Sequence, residues 1–391
     1  MKKGIALLMS LLLTALLAVP AFAVDAGKTD KPRIAFGDDG KLTILQIADI
    51  QDWVHLSYFT RRSICYAVAQ SEPDLIVLTG DNIAGYYCLT KSAARIAIRN
   101  VMNLLQRLNV PVAAVFGNHD DEKTPLTKLE QIELYETYPC YIGSAGVVAQ
   151  LQVGDNSTLN AGTYNVPVYE SADSDKIAYN IWCFDSGTYN PDPAIGGYSY
   201  VLPEQVNWYV ETSDALKAAN GGTPVPSIAF QHIAPVQIYR AFREVSAAES
   251  YQFEHAGKYY AFPEGTDPET NWMGESPSPP KESCIPAYAE VDAMIRQGDV
   301  KALFYGHDHV NSYIVPYEGI DFVNSPGITF FSYNDFNRGF RVITVDKNNT
   351  DTYETYTLSA DKMLRNGNIV DRVLYAFRIV YDKAYLYFKG L

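Results

Sequence analysis

The stretch PVAAVFGNHD at residues 111–120 decides the fold, because it joins a short apolar run to a glycine and three polar side chains. The run Pro111–Phe116 predicts a buried strand, and Gly117 lets the backbone turn sharply where that strand ends. Similar units occur earlier in the chain, and longer runs with helical spacing lie between them. This alternation predicts an α/β fold with a largely parallel, layered core.

The remaining elements are predicted from the same two patterns, short apolar runs for strands and helical spacing of apolar residues for helices. Further strands are predicted at Leu42–Ile47, Asp74–Thr79, Val147–Val153, Lys176–Phe184, Ser227–Phe230 and Val300–Tyr305, with a meander over Tyr313–Val323 and Gly339–Val345. Helices are predicted at Tyr58–Gln70, Ser92–Leu108, Thr124–Tyr138, Pro203–Ala219 and Ile285–Gln297. Two polar, turn-rich stretches, Asn156–Ala172 and Gly257–Lys281, are predicted to be loops.

Aspartate, asparagine and histidine follow five of the predicted strands. They are Asp49 with Gln51, Asp81, Asn118-His119-Asp120, His232, and His307-Asp308-His309. Taken singly, such an aspartate is usually a turn or cap residue and such a histidine a structural one. Four of the six histidines lie at these strand ends, however, and independent structural uses would not gather them there. Because ligands of open α/β sheets bind at the carboxyl ends of the strands, the set predicts a functional site.

The residue types indicate a pair of metal ions. Two divalent cations about 3.5–4 Å apart can hold a phosphate ester and an attacking water together. A carboxylate between them offsets their mutual repulsion, and neutral imidazole and amide ligands keep the site open to an anion. A mixed Asp, His and Asn set suits zinc, manganese or iron better than magnesium or calcium.

The five motifs resemble those of calcineurin-like metallophosphoesterases. They are Asp49-x-Gln51, Gly80-Asp81, Gly117-Asn118-His119-Asp120, His232 and Gly306-His307-Asp308-His309, and the similarity spans about Leu42–Val345. The segments Tyr179–Tyr189, Tyr198–Tyr209 and Val300–His309 are most similar to the branch that contains purple acid phosphatase 29 and Dcr2. The resemblance implies a β-sandwich flanked by helices, in α/β/β/α layers, with the metals at the carboxyl ends of the strands.

The resemblance also implies a role for each residue of the motifs. Asp49 and His309 would bind the first metal, Asp81 would bridge, and Asn118, His232 and His307 would bind the second metal. His119 would lie beside the leaving-group oxygen as a proton donor or as a partner for transition-state charge, and Asp120 would orient it. The loops Asn82–Tyr87 and Trp272–Lys281 are candidates to wall the pocket.

One position departs from the family pattern, since Gln51 stands where the family has a histidine. Three outcomes are open: Gln51 coordinates the first metal through its side-chain oxygen, that site binds weakly, or Asp52 takes part. We expect Gln51 to be a ligand.

The amino terminus predicts export. Lys2 and Lys3 precede an apolar run from Ile5 to about Val19, and Ala21-Phe22-Ala23 has the small-x-small pattern of a signal-peptidase site. We therefore expect residues 1–23 to be a signal peptide and the mature protein to have no transmembrane segment. The alternative, a retained membrane anchor, is disfavoured because the run is shorter than the roughly 20 residues that span a bilayer. We assign residues 32–345 to a catalytic domain and 346–391 to a C-terminal extension packed on it or following it.

Composition restricts the function further. The chain of 391 residues is 47% hydrophobic, which is enough for a large core, and its formal net charge of −14 disfavours binding to nucleic acid. Its five cysteines contain no C-x-x-C pair. They allow either two disulfides and one free thiol or no disulfide at all.

We expect an exported hydrolase that attacks a small phosphorylated substrate, a phosphomonoester or a phosphodiester, with a metal-activated water. The alternative is a catalytically weak or inactive metal-containing surface protein that binds phosphorylated or glycan ligands.

Overall fold

Two β-sheets lie face to face in the computed structural model, which describes residues 31–143, 162–334 and 337–389. The first sheet contains, in spatial order, β15 (Glu354–Ser359), β14 (Gly339–Asp346), β2 (Lys41–Ile47), β3 (Leu75–Thr79) and β4 (Val112–Val115). The second contains β1 (Ile34–Ala35), β5 (Tyr164–Tyr169), β6 (Ile177–Cys183), β7 (Ser227–Phe230), β11 (Val300–Tyr305), β13 (Ile320–Asn324) and β12 (Tyr313–Tyr317). A small third sheet joins β8 (Arg243–Val245), β10 (Lys258–Ala261) and β9 (Phe253–His255).

The strands that carry the motifs run parallel within each large sheet. β2, β3 and β4 are parallel to one another, as are β7 and β11. Both faces of these strands are covered. On β2, for example, Leu42 and Ile44 pack between the two sheets, while Leu45 and Ile47 pack against helices. Strands buried on both faces are largely apolar along their length, which explains why they were recognisable in the sequence.

Helices cover the outer faces of the sandwich. They are α1 (Tyr58–Ser71), α2 (Lys91–Leu108), α3 (Lys128–Tyr135), α4 (Pro203–Ala219), α5 (Ile238–Ala241), α6 (Ala289–Gln297), α7 (Ala360–Asn366) and α8 (Ile369–Lys389), with 3₁₀ turns at Gly85–Tyr87 and Ile285–Tyr288. Residues of α1, α2, α3, α7 and α8 pack on the first sheet, and those of α4 and α6 pack on the second. The predicted α/β/β/α fold class is confirmed.

Three predictions about elements were wrong. The predicted loop Asn156–Ala172 contains β5, which pairs antiparallel with β6. The predicted loop Gly257–Lys281 contains β10. Helix α3 begins at Lys128 rather than Thr124, because Thr127 and Glu130 form a capping box there. The predicted strand Val147–Val153 lies outside the described residues.

The C-terminal residues pack against the first sheet and its helices. β15 pairs antiparallel with β14, and Asp371 of α8 accepts hydrogen bonds from Arg62 Nε at 3.0 Å and Tyr58 Oη at 2.6 Å on α1. All five cysteines lie in the described ranges, and each is a free thiol. Within those ranges no helix combines the length and the hydropathy that crossing a membrane requires.

Candidate metal centre

The carboxyl ends of β2, β3, β4, β7 and β11 meet at one edge of the sandwich. Backbone hydrogen bonds join the segments that follow them: Asp49 N donates to Gly80 O and Gly306 N donates to His232 O, each at 3.2 Å. The two sheets are linked where His307 N donates to Asp49 Oδ2 at 3.1 Å. The predicted site residues are therefore brought together from both sheets.

Several of these residues have a strained backbone. Asp49, Gln51, Asp81 and His307 have φ values of 54°, 37°, 52° and 72°, and they make up four of the nine non-glycine residues with positive φ in the described ranges. Each such conformation costs about 1 kcal/mol or more and persists where the surrounding structure imposes it, often at functional sites. Close approach adds a further constraint, because a Cβ on Gly117 would lie 2.2 Å from Asp81 Oδ1.

Polar side-chain atoms converge at spacings that suit a shared cation. One atom each from Asp49, Asp81 and His232 lie within 4.8 Å of one another, and all three residues are buried. His232 Nε2 lies 3.3 Å from Asp81 Oδ2 and 3.2 Å from Asn118 Oδ1. On the other side, His309 Nε2 lies 3.4 Å from Asp49 Oδ1. Two atoms that are each about 2.1 Å from one tetrahedral metal lie about 3.4 Å apart, so these spacings fit metal ligation.

Backbone carbonyls orient two of the imidazoles. His232 Nδ1 donates to Thr79 O at 2.9 Å, and His309 Nδ1 donates to Tyr333 O at 3.1 Å. Because a carbonyl can only accept, Nδ1 carries a proton in each ring, which leaves Nε2 as the nitrogen that would bind a metal. Such hydrogen bonds to the second ring nitrogen are typical of metal-binding histidines.

The buried charges act on one another strongly. Burial acts to raise the pKa of Asp81, but the His232 imidazole holds that pKa well below its usual range. Burial lowers the pKa of His232, but the Asp81 carboxylate outweighs it and raises that pKa to about 9. His307 is buried beside His232, and burial together with repulsion from that ring lowers its pKa well below the ordinary value, so His307 is neutral.

Two buried oxygen atoms at the centre accept no hydrogen bond from the described residues. They are Asp49 Oδ1 and Gln51 Oε1. A buried acceptor without a donor costs about 1–3 kcal/mol, unless water or a cation satisfies it. The donor set, the spacings and these open acceptors all fit a metal ion at this place.

The side chains of Gln51 and Asp52 have different environments. Gln51 Nε2 donates to Asp81 Oδ2 at 2.5 Å, so its amide lies against the centre. Asp52 Oδ2 instead accepts from Ser57 N at 2.5 Å, at the start of α1. Burial raises the pKa of Asp52 to about 6. These contacts favour Gln51 over Asp52 as the neighbour of a cation.

His119 lies at the edge of the centre and contacts a partner that the motifs did not predict. Its backbone N donates to Asp81 Oδ1 at 2.8 Å, and its Nδ1 lies 2.5 Å from Glu122 Oε2. Glu122, rather than the predicted Asp120, therefore contacts the imidazole. Asp120 is buried and accepts from Gly117 N at 2.7 Å and Ile83 N at 3.1 Å, so it fixes the loops that carry the site. An acidic residue three positions after the histidine was the available signal.

Comparison with known proteins identifies the family of this chain. The chain is 26% identical to probable inactive purple acid phosphatase 29 of Arabidopsis thaliana, over 81% of this chain and 79% of the relative. It is 27% identical to the phosphatase DCR2 of Saccharomyces cerevisiae, over 52% of this chain and 36% of the relative. Among solved structures, a dimetal phosphatase from Danio rerio aligns over 82% of this chain and 99% of its own, with 12% identity and a TM-score of 0.47. The profile of the calcineurin-like phosphoesterases matches residues 42–311, and the chain belongs to that family.

Proposed function

We propose that this protein is an exported phosphoesterase that uses two metal ions to hydrolyse phosphomonoesters or phosphodiesters. The observation that carries the proposal is the buried Asp49, Asp81 and His232 group, at the point where both sheets end. Asp49, Gln51 and His309 would hold the first ion, Asp81 would bridge, and Asn118, His232 and His307 would hold the second. The mixture of nitrogen and oxygen donors suits manganese, iron or zinc.

The chain's own groups would position and protonate the substrate. When bound, the cations would lower the pKa of the attacking water and offset the charge on the phosphoryl oxygens. As the water oxygen bonds to phosphorus, the bond from phosphorus to the leaving-group oxygen breaks, and that oxygen takes a proton. Because Glu122 engages Nδ1 of His119, Nε2 is the ring nitrogen that would supply this proton. Asp120 would keep the loop of His119 in place through the backbone of Gly117.

The proposal of export depends on the sequence of residues 1–23, which lie outside the described ranges. The positive start, the apolar run and the cleavage pattern before Val24 support it. The test is the amino-terminal sequence of the protein recovered from its native cell, which should begin at Val24. Recovery of a chain that retains the apolar run would contradict export with cleavage.

A second candidate is a metal-containing protein that binds phosphorylated or glycan ligands with weak or no catalysis. The observation in its favour is Gln51, whose amide nitrogen, a poor ligand, is the atom that contacts Asp81. Purple acid phosphatase 29, a relative of this chain, carries the word inactive in its name. Against this candidate stands the pair formed by His119 and Glu122, which a binding protein does not need.

One assay separates the two candidates. Metal-stripped protein is incubated with manganese, iron, zinc or magnesium in turn, and hydrolysis of nitrophenyl phosphate and bis(nitrophenyl) phosphate is measured. An enzyme should be inactive without metal and should recover turnover with at least one transition metal. Full metal occupancy without turnover on either ester would reject the enzyme and favour the binding protein.

A further inference from the structure

Four aromatic side chains form a continuous cluster, which we call the aromatic shelf: Trp53, Tyr86, Tyr87 and Phe331. The ring centroids of Trp53 and Phe331 lie 5.5 Å apart, and Tyr87 lies 5.9 Å from Trp53 and 5.4 Å from Phe331. Tyr86 lies 4.6 Å from Tyr87. Trp53, Tyr87 and Phe331 are 55%, 45% and 43% exposed, so the outer faces of these rings remain open to solvent.

The aromatic shelf is attached to the metal centre. The ring of Tyr86 meets the His119 imidazole edge to face, with centroids 5.0 Å apart. Trp53 lies two residues after Gln51, and Phe331 lies two residues before Tyr333. The Tyr333 ring stacks on the His309 imidazole, with centroids 4.2 Å apart. The shelf therefore extends outward from the side of the centre where His119 would protonate the leaving group.

Hydrogen-bonded loops hold the rings in place. Gly85 N donates to His119 O at 2.8 Å, and Tyr87 N donates to Ala84 O at 2.9 Å, which fixes the 3₁₀ turn that carries both tyrosines. Phe331 N donates to Thr329 Oγ1 at 3.1 Å. An exposed group of large aromatic rings on ordered loops marks a recognition surface, because such rings bury much apolar area and lose little conformational entropy on binding.

We propose that the aromatic shelf binds a planar aromatic ring in the leaving group of the substrate, as in an aryl ester or a nucleoside phosphate. This inference rests on the proposed function, since it assumes that phosphorus is held at the metal centre. Stacking on Trp53, Tyr87 or Phe331 would place the ring on the His119 side of that phosphorus. Esters with small alkyl leaving groups would make no contact with the shelf.

The test compares binding of phenylphosphonate with binding of methylphosphonate, two probes that are not hydrolysed and that differ only in the ring. Calorimetry on the metal-loaded protein gives both dissociation constants. Trp53→Ala and Phe331→Ala should each weaken phenylphosphonate by about tenfold, the value of one aromatic stack, and change methylphosphonate by less than about twofold. Tyr356→Ala removes a ring that is 49% exposed on β15, and it should leave both constants unchanged.

The outcomes keep the aromatic shelf separate from catalysis. If Trp53→Ala and Phe331→Ala weaken the binding of both probes equally, or weaken neither, the shelf does not bind the aromatic ring, even if the enzyme is active. Selective weakening of phenylphosphonate would support the shelf even if no ester is hydrolysed. A purine nucleoside phosphonate distinguishes the two sources of the ring: if the same variants weaken it, the shelf accepts nucleosides, and if the loss is confined to phenylphosphonate, it accepts aryl esters.

Discussion

Replacing Glu122 with glutamine should slow turnover without loss of metal, because Glu122 contacts Nδ1 of His119 rather than a residue assigned to a metal. The distance from Glu122 Oε2 to His119 Nδ1 is 2.5 Å, and the side chains are 20% and 28% exposed. A hydrogen bond to a charged group contributes about 1.5–3 kcal/mol, and partial exposure reduces that to about 1.4 kcal/mol, which corresponds to a tenfold change in rate. We therefore expect kcat for phenyl phosphate, whose leaving group needs a proton more than nitrophenolate does, to fall about tenfold in Glu122→Gln.

A double-mutant cycle decides whether Glu122 acts through His119. His119→Ala alone should lower kcat by about 10²–10⁴-fold, the usual contribution of a positioned proton donor. Adding Glu122→Gln to that variant should cause no further loss, since the carboxylate then has no ring to orient. Glu133→Gln, an exposed change on α3, is the control and should keep wild-type kcat. A further tenfold loss in the double variant, or unchanged kcat in Glu122→Gln, would show that Glu122 does not act through His119.

Three further predictions concern the first metal site, the fold and the pH dependence of stability. Gln51→His supplies an imidazole nitrogen in place of an amide and should tighten zinc binding by about tenfold in competition with a chromophoric chelator; an unchanged constant would contradict the assignment of Gln51. Thr127→Ala removes the N-cap of α3 and should cost about 1 kcal/mol, or about 1–2 °C in melting temperature, whereas Thr124→Ala should cost less; equal losses would place the cap elsewhere. Burial raises the pKa of Glu290 from 4.5 to about 8, so between these pH values the folded state keeps a proton that the unfolded state has lost, and stability falls as pH rises. That loss amounts to about 3.5 kcal/mol from pH 5 to pH 8, so the melting temperature of Glu290→Gln relative to wild type should rise by about 4–7 °C over this range, and a constant difference would show that the group is ionised when folded.

The central part of the fold was predictable because its strands are buried on both faces. β2, β3, β4, β7 and β11 are mostly apolar, and each is followed within a few residues by the polar side chains that meet at the metal centre. Parallel strands bring their carboxyl ends to one edge, so sequence position alone indicated which side chains would converge.

The missed elements depend on tertiary contacts that local sequence does not encode. In β5, Asn165 and Pro167 suggested a loop, yet Asn165 Nδ2 donates to Asn180 Oδ1 at 2.9 Å in the buried sheet. The neighbouring β1 pairs with Val168 and Tyr169 of β5 but does not reach Pro167. The missing N–H of Pro167 is therefore tolerated on that side. Glu122 was missed for a different reason: its contact with His119 is local, three positions along the chain, and depends on the turn of the loop that carries both residues.

We propose that a pair of cations is bound by six residues: Asp49, Asp81, Asn118, His232, His307 and His309. Anomalous diffraction from crystals of the protein loaded with manganese or zinc, recorded on both sides of the absorption edge of the metal, would locate these ions. We expect two peaks about 3.5–4 Å apart, with an Asp81 carboxylate between them. A difference map with no peak inside this group of residues, or with its metal bound elsewhere, would contradict this proposal.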